Sequence, residues 1–316
     1  MNIGIIGCGL MGLQHAMNFS KIEGIHVTAV SDPSKIARDN VSSAIGTVPK
    51  ISTSDSRELF GSELDAVCIA SPDAFHVPQI IHSIQAGLHV LCEKPLTSDP
   101  AELNMLIEAT KKSGRVVMGT YPRRLDIGAR AVRQEILSGR WGKVQCISIY
   151  NCEDWITPNT GTWRHNPAIC PGGFFFDANQ HQVDTCLWMT GLEPVSAHCQ
   201  WEDCGTGVPI RIRGEAIAEG YAAREKGVPI TFHTVGDAKV WQEQVNIHCE
   251  HMDFMVENFR YFWVKENHKV PLASPGAAED CAATFLRCIK GEIENPSPPE
   301  SIWPVLRFMR MAMYGE

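Results

Sequence analysis

The chain has 316 residues, 44% of them hydrophobic and 20% charged, a balance typical of a globular protein. Its 28 basic and 36 acidic residues give a formal net charge of -8, and the absence of a long basic block argues against nucleic acid and anionic membranes as partners. The length accommodates two domains. The chain enters an apolar strand at once, without the pattern of a signal peptide, so we expect a cytoplasmic protein.

A glycine-rich motif follows the first predicted strand, Ile3 to Ile6. Its sequence is Gly7-Cys8-Gly9-Leu10-Met11-Gly12. Gly7 permits a tight turn, Gly9 lets the backbone approach a pyrophosphate, and Gly12 permits close packing of a helix on the strand. A purely structural glycine turn is the alternative, but the strand and helix around the motif favour a dinucleotide site.

The residues around this motif specify the nucleotide further. The main-chain amides of Leu10 and Met11 would open a helix whose positive end attracts phosphates. Asp32 ends a second predicted strand, Ile25 to Val30, where a carboxylate binds ribose hydroxyls and repels a 2'-phosphate. We therefore expect NAD as the cofactor, with NADP as the alternative because Lys35 lies close in sequence.

The first 119 residues alternate short apolar runs with helical patterns, which predicts a doubly wound parallel sheet and a Rossmann domain over residues 1–119. The elements predicted after Asp32 are a helix over 34–44, a strand over 65–70, a helix over 75–86, a strand over 88–92, a helix that stops at Gly114 and a strand over 115–119. The second of these helices ends at Gly87, which suits a C-terminal cap.

The pattern changes in residues 120–316, for which we predict an α+β domain that binds the substrate and mediates oligomerisation. A helix over 126–137 precedes long strand-like runs joined by turns, which favours a largely antiparallel sheet. These runs are Val144 to Tyr150, Val208 to Arg213, Pro229 to Val235 and Trp241 to His248. A helix over 277–289 and a short apolar helix complete the prediction.

The twelve cysteines are scattered through a long chain, which favours free, mostly buried thiols over a disulfide framework. One cluster, His248-Cys249-Glu250-His251, contains residue types that bind metals. Strand alternation would send its members to opposite faces of a sheet, so we predict no metal site there.

Three segments contain candidate catalytic residues. Glu93-Lys94-Pro95 follows a strand of the parallel sheet and therefore lies at its carboxyl edge, where ligands of such sheets bind. The segment from Ser71 to His76 follows the neighbouring strand and reaches the same crevice. In the second half, Gly172-Gly173 leads to Asp177 and His181, which are four residues apart and share a helical face that Asp184 continues.

These residue types fit the oxidation of an alcohol, which requires a hydride acceptor, a base and a group that stabilises charge on oxygen. His181 suits the base, Asp177 would orient it, and Lys94 would polarise the oxygen. Structural alternatives remain open: a surface lysine for Lys94, an N-cap for Asp177, and simple helix packing for His181 and His76.

Other residues are assigned less specifically. Tyr121 with Arg123 and Trp163 with Arg164 would line a sugar pocket, or would simply pack. We expect His15 on a helix surface. We place Cys8 in a loop and Phe174-Phe175-Phe176 in the core.

Taken together, these motifs resemble the glucose-fructose oxidoreductase, inositol dehydrogenase and rhizopine-catabolism (Gfo/Idh/MocA) family over most of the chain. The resemblance implies a Rossmann domain followed by a domain with an open, mainly antiparallel sheet that mediates dimer or tetramer contacts. It implies that Lys94 is the catalytic lysine, Asp177 the motif aspartate and His181 the acid/base, and that Glu93 and His76 lie near the nicotinamide. A cis bond between Lys94 and Pro95 is also implied.

One residue and one segment depart from the family pattern. Asn179 stands where glycine is more usual, which would reflect either a left-handed backbone or an added polar contact in the pocket. Residues 201–268 match no subfamily.

We expect an NAD(P)-dependent dehydrogenase acting on a secondary alcohol of a sugar, inositol or polyol, and a homodimer or homotetramer. Two alternatives stay open, an NAD-dependent redox-assisted glycoside hydrolase and a non-catalytic NAD or sugar sensor.

Overall fold

The computed structural model describes residues 1–266, 268–272 and 280–316. The chain forms two compact units, each built from two segments: Met1–Pro122 with Glu279–Ser301, and Arg123–Ala278 with Ile302–Glu316. Within the described residues, no helix is both long enough and apolar enough to cross a membrane.

The first unit contains a six-stranded sheet in which every pair of neighbouring strands is parallel. Its strands are β1 (Asn2–Ile6), β2 (His26–Ser31), β3 (Ile51–Thr53), β4 (Ala66–Ile69), β5 (His89–Cys92) and β6 (Val117–Gly119). Their order, β3-β2-β1-β4-β5-β6, reverses direction between β1 and β4. Ligands of such sheets bind at this reversal, beyond the carboxyl ends of the strands. The predicted doubly wound parallel sheet is confirmed.

Most helices begin and end near the predicted positions, and the short helix over Ile156–Asn159 was not predicted. They are α1 (Leu10–Ser20), α2 (Lys35–Ile45), α3 (His76–Gln85), α4 (Pro100–Ser113), α5 (Ile127–Leu137), α6 (Ile156–Asn159), α7 (Gln180–Thr190), α8 (Cys281–Ile289) and α9 (Trp303–Tyr314). Local signals explain several ends: Asp99 accepts hydrogen bonds from the first amides of α4, and Gly114 ends α4 in a left-handed conformation. The predicted helix over 277–289 begins at Cys281, and residues 277–279 lie outside the described residues.

The unit boundary differs from the predicted division after residue 119, because the segment from 279 to 301 belongs to the first unit. Helix α8 packs its apolar face on α1, with the rings of Phe285 and Phe19 6.5 Å apart. The loop after α8 is tied to the end of β6, where the Gly119 amide donates to the carbonyl of Ser297 over 2.9 Å. The functional roles of the two parts stay predictions.

The second unit contains an eight-stranded sheet that is antiparallel except where β10 pairs with β7. Its strands are β7 (Val144–Asp154), β8 (Glu193–Glu202), β9 (Arg211–Glu219), β10 (Val228–Val235), β11 (Asp237–Cys249), β12 (Asp253–Glu257), β13 (Arg260–Lys265) and β14 (His268–Pro271). Their order is β14-β13-β12-β11-β7-β10-β9-β8. The mainly antiparallel sheet is therefore confirmed, although the run predicted from Val208 becomes a strand only at Arg211.

Aromatic side chains form much of the core of this second unit. Phe175 stacks on Phe232 of β10 with ring centroids 5.6 Å apart, and Phe232 contacts Phe308 of α9 at 5.2 Å. Phe174 and Phe176 are also buried, which confirms that the phenylalanine run lies in the core. These contacts fix the chain just before α7.

Candidate functional site

The glycine motif closes the turn between β1 and α1. Gly7 has a φ of 87°, and a Cβ atom there would lie 2.5 Å from the carbonyl carbon of Ala70 in the loop after β4. A Cβ atom on Gly12 would overlap the carbonyl oxygen of Gly7. A Cβ atom on Gly9 would meet no other atom within 4 Å, so this part of the backbone faces open space. This arrangement leaves room for a group that approaches the main chain at Gly9.

The N-terminus of α1 is suited to a phosphate group. Gly9 is the N-cap residue and has no side chain that could cap the helix, so the first helical amides, including those of Leu10 and Met11, receive no bond from a capping side chain. Leu10 is 83% exposed. The first amides of this helix and the positive end of its dipole together fit the pyrophosphate of NAD.

Asp32 connects the end of β2 to this loop. Its Oδ2 accepts a hydrogen bond from the Cys8 amide and its Oδ1 accepts one from the Ser34 amide, both over 2.8 Å. Lys35, which we considered as a contact for a 2'-phosphate, forms an exposed ion pair with Asp39 at 2.6 Å. Asp32 is therefore held at the strand end where the ribose contact is expected.

His76 joins the loops that follow β4 and β5. It is buried, its Nδ1 lies 2.6 Å from the carbonyl oxygen of Pro95, and its Nε2 lies 2.8 Å from that of Ser71. Ser71 also donates its hydroxyl to Gln79 over 2.7 Å. Both ring nitrogens therefore contact main-chain carbonyl oxygens, and His76 links the two loops at the carboxyl edge of the sheet.

The Glu93-Lys94-Pro95 turn lies at the carboxyl end of β5, and the peptide bond between Lys94 and Pro95 is cis. Glu93 is buried; its Oε1 lies 2.7 Å from Nε2 of His15, and its Oε2 accepts a hydrogen bond from the Lys94 amide over 3.2 Å. Burial raises the pKa of Glu93, but the hydrogen bond and charge of His15, helped by the charge of Lys94, lower that pKa by more. The net result is a pKa below the ordinary value of a glutamate.

The structure corrects our expectation for His15, which is 5% exposed instead of lying on a helix surface. It lies on the buried face of α1 together with Gly12, Ala16 and Phe19. The spacing of these four positions is that of one helical face. This spacing was the available signal: a histidine on an apolar stripe requires a polar partner.

In the second unit, two glycines allow the chain to turn before α7. A Cβ atom on Gly172 would collide with the ring of Phe176, and Gly173 has a φ of 49° with the Pro209 carbonyl oxygen 2.6 Å from the position of a Cβ atom. A π-helical turn, Phe175–Asn179, follows and runs directly into α7. Such turns are rare and occur frequently at functional sites.

Asp177 lies in this π-helical turn. Its Oδ2 accepts hydrogen bonds from Nε1 of Trp155 and Nε of Arg164, both over 2.9 Å. The guanidinium group of Arg164 stacks over the ring of Trp163 at 4.5 Å. The structure thus brings together three predicted site residues and adds Trp155, which sequence reasoning missed. Its indole N–H needs an acceptor once buried, but the sequence does not identify which one.

His181 and Asp184 lie on α7. His181 is half-buried, and its carbonyl oxygen accepts a hydrogen bond from the hydroxyl of Thr185. Asp184 forms a buried, bidentate ion pair with Arg124, with distances of 2.9 Å from Nε to Oδ2 and 2.5 Å from Nη2 to Oδ1. We predicted that Asp184 continues the helical face of Asp177 and His181; in the structure its carboxylate forms this internal pair.

Two further predicted pocket residues are held by packing. Tyr121 is buried against Gly119. Arg123 pairs with the fully buried Glu243 at 2.5 Å and lies 4.6 Å from the ring centroid of Phe259. Their proposed contacts with a substrate remain predictions.

Asn179 does not have the left-handed backbone that we considered, because its φ is -74° and its ψ is -18°. Its side chain is buried and makes internal contacts. Nδ2 donates to the carbonyl of Phe174 over 3.1 Å, and Oδ1 accepts a hydrogen bond from Asn151 over 3.3 Å. The asparagine therefore links the π-helical turn to strand β7.

The cysteines are free thiols, most of them buried. Burial, followed by the charge of Asp32, raises the pKa of Cys8 to about 12, and burial raises that of Cys186 to about 12. A thiol with such a pKa is a poor nucleophile near neutral pH. His248, in the cluster considered for a metal, pairs with Asp253 at 3.1 Å.

Several known proteins are similar to this chain. Inositol 2-dehydrogenase 4 of Saccharopolyspora erythraea is 30% identical over 200 residues, which are 61% of this chain and 55% of that protein. The matched stretch thus spans little more than half of that curated relative. Among solved structures, aldose-aldose oxidoreductase from Caulobacter crescentus has a TM-score of 0.83 at 18% identity, with 100% of this chain and 98% of that chain covered. Scyllo-inositol dehydrogenase from Lactobacillus casei has a TM-score of 0.80 at 19% identity, with 99% and 95% covered.

The family comparison covers both halves of the chain. Residues 1–121 match the oxidoreductase family with an NAD-binding Rossmann fold, Gfo/Idh/MocA, and residues 129–254 match the C-terminal domain of the same family. The order of the two matches agrees with the parallel sheet followed by the mainly antiparallel sheet. The chain therefore belongs to the Gfo/Idh/MocA family of oxidoreductases.

Proposed function

We propose that the protein is an NAD-dependent oxidoreductase that acts on a secondary alcohol of a sugar, an inositol or a related polyol. One observation carries the proposal: the open glycine loop after β1 and the Lys94 turn after β5 lie at the same carboxyl edge of the parallel sheet. Relatives named inositol 2-dehydrogenase support the substrate class.

The first unit contains residues suited to hold the cofactor. The amides of Leu10 and Met11 would bind its phosphates, and Asp32 would bind its ribose. Bound there, NAD would supply the hydride acceptor that oxidation of an alcohol requires. This chemistry depends on the carboxyl edge of the sheet, which is held by contacts of Ser71, His76 and Glu93.

Three residues are proposed to act in catalysis: Lys94, His181 and Asp177. Lys94 stabilises the negative charge that develops on the substrate oxygen, because a fixed cation is most effective where charge accumulates during the reaction. His181 accepts the hydroxyl proton, since imidazole titrates near neutral pH. Asp177 orients the imidazole and is itself oriented by Trp155 and Arg164.

We also propose that the substrate contacts Arg164 and Trp163, and that the protein is a homodimer or homotetramer. The guanidinium group and the indole ring offer hydrogen-bond donors beside an apolar face, the combination that a polyol requires. Light scattering of the purified protein measures the oligomeric state.

The test is the appearance of reduced nicotinamide with NAD and NADP in parallel, across a panel of inositols, sugars and sugar acids. We expect turnover with NAD on one substrate group, and a loss of about a hundredfold or more in Lys94→Ala with NAD affinity retained. Lys111→Ala, which removes an exposed lysine from α4, is the matched control. Unchanged turnover in Lys94→Ala contradicts the assignment.

Two other outcomes would replace the proposal. Cleavage of a glycoside without net reduction of the cofactor would identify redox-assisted hydrolysis. Binding of NAD or a sugar without any turnover would identify a sensor.

A further inference from the structure

We propose that His15 is a positioning residue for Lys94 and acts through the carboxylate of Glu93. Nε2 of His15 lies 2.7 Å from Oε1 of Glu93, and Oε2 of the same carboxylate accepts the main-chain N–H of Lys94 over 3.2 Å. The inference rests on the proposed function only for its effect on turnover, because its effect on the Lys94 backbone is measurable without a substrate.

The direction of the hydrogen bond follows from the groups involved. An ionised carboxylate accepts but cannot donate, so Nε2 of His15 carries the proton. Nδ1 of His15 is buried and has no hydrogen-bond partner among the described residues. The bond to Glu93 is therefore the contact that sets the orientation of the ring. A leucine would fill the same stripe of α1 without requiring a buried acceptor, so the histidine is explained by its partner.

The turn is also held from its other side. His76 contacts the carbonyl oxygen of Pro95 at 2.6 Å, while Glu93 holds the amide of Lys94. The backbone is thus fixed immediately before and immediately after Lys94. Small displacements of a reacting group reduce rates strongly, so this double support is expected to affect turnover.

The position of His15 gives the inference a specific consequence. It lies on α1, the helix whose N-terminus we expect to bind the phosphates, but its contact is with the Lys94 turn. Removing the imidazole should therefore displace Lys94 and leave the amides of Leu10 and Met11 in place. The structure predicts a loss of turnover that is not accompanied by a loss of NAD affinity.

The experiment compares His15→Leu, His15→Gln and Gln14→Leu in the full chain. The glutamine can donate an N–H to Glu93 in place of the imidazole. Gln14 is an exposed neighbour on the same helix and donates a hydrogen bond to Oδ1 of Asn18 over 2.9 Å, so Gln14→Leu is the matched control. Hydrogen exchange of the Lys94 amide is measured by NMR, NAD binding by calorimetry, and turnover by reduced nicotinamide.

In His15→Leu we expect the Lys94 amide to exchange about tenfold faster, which corresponds to one lost hydrogen bond. We expect kcat to fall about tenfold or more and the NAD dissociation constant to change less than about twofold. His15→Gln should have amide exchange and kcat close to those of the wild type, and Gln14→Leu should change neither quantity.

Unchanged amide exchange in His15→Leu overturns the inference, because His15 would then merely fill the core. A weakened NAD affinity with unchanged kcat also overturns it, since His15 would then support α1 alone. If the wild type has no turnover on any substrate, the proposed function fails, whereas faster exchange in His15→Leu with rescue by His15→Gln still supports the positioning role.

Discussion

Replacing Asp184 by asparagine should destabilise the second unit severely. The side chains of Arg124 and Asp184 are 1% and 3% exposed, and they share two hydrogen bonds. The substitution preserves the shape of the side chain but leaves the guanidinium group of Arg124 buried opposite a neutral amide. Breaking a buried pair in this way costs about 3–5 kcal/mol of unfolding free energy. For a unit of this size that cost lowers the melting temperature by about 10 °C.

A second pair of an arginine and an aspartate, which lies on the surface, provides the control. Arg211 and Asp237 are also bidentate, with distances of 3.0 Å and 2.5 Å, but their side chains are 49% and 23% exposed. Solvent screens this pair and hydrates the arginine when the partner is lost. We therefore expect Asp237→Asn to change the melting temperature far less than Asp184→Asn does.

Urea denaturation and scanning calorimetry of both variants measure the difference. If Asp184→Asn costs no more than Asp237→Asn, burial does not determine the effect and the reasoning is refuted. The double variant Arg124→Met with Asp184→Leu adds a second check. It should recover part of the loss, because apolar side chains of similar volume require no charge compensation.

Three further predictions concern the glycine motif, the thiols and Glu93. Gly12→Ala should lower both the melting temperature and the NAD affinity because its Cβ atom would overlap Gly7, whereas Gly9→Ala should lower NAD affinity alone; fluorimetry and calorimetry distinguish them. Iodoacetamide should alkylate the exposed Cys204 first, and it should alkylate the buried Cys8 slowly because the pKa of that thiol is about 12. Mass spectrometry follows the labelling, and rapid labelling of Cys8 would contradict this prediction. Glu93 has a lowered pKa, so its ionised form stabilises the fold above the unfolded pKa of about 4.3, and this contribution is lost as pH falls through the folded value. The difference in unfolding free energy between wild type and Glu93→Gln should therefore shrink in acid, as urea titrations at several pH values would reveal.

The sequence predicted the first unit well because its signals are local. The caps of α4 at Asp99 and Gly114, and the glycine motif before α1, each act over a few residues. Parallel strands that are buried on both faces appear as short apolar runs, as β4 does. These elements alone are sufficient to locate the carboxyl edge of the parallel sheet, where we propose that NAD binds.

The second unit was harder to predict because its organisation depends on contacts distant in sequence. Strand β8 exposes most of its residues and shows little alternation, and its pairing with β9 shifts register between Pro194 and Ser196. The parallel pairing of β10 with β7 joins residues about eighty positions apart, which no local pattern indicates. The attachment of α8 to the first unit likewise depends on a contact between Phe285 and Phe19.

The candidate site shows the same division between residue type and residue partner. The sequence identified Asp177 and Asp184 as acids on one helical segment, yet one accepts hydrogen bonds from Trp155 and Arg164 while the other pairs with Arg124. The difference arises because the guanidinium and indole groups come from segments thirteen to sixty residues away. A buried polar residue predicts that a partner exists, because leaving it unpaired is costly, but only the fold determines which residue that partner is. His15 shows the cost of missing such a signal: we expected it on a helix surface, although the stripe around it indicates a buried position that requires an acceptor, and the structure supplies Glu93.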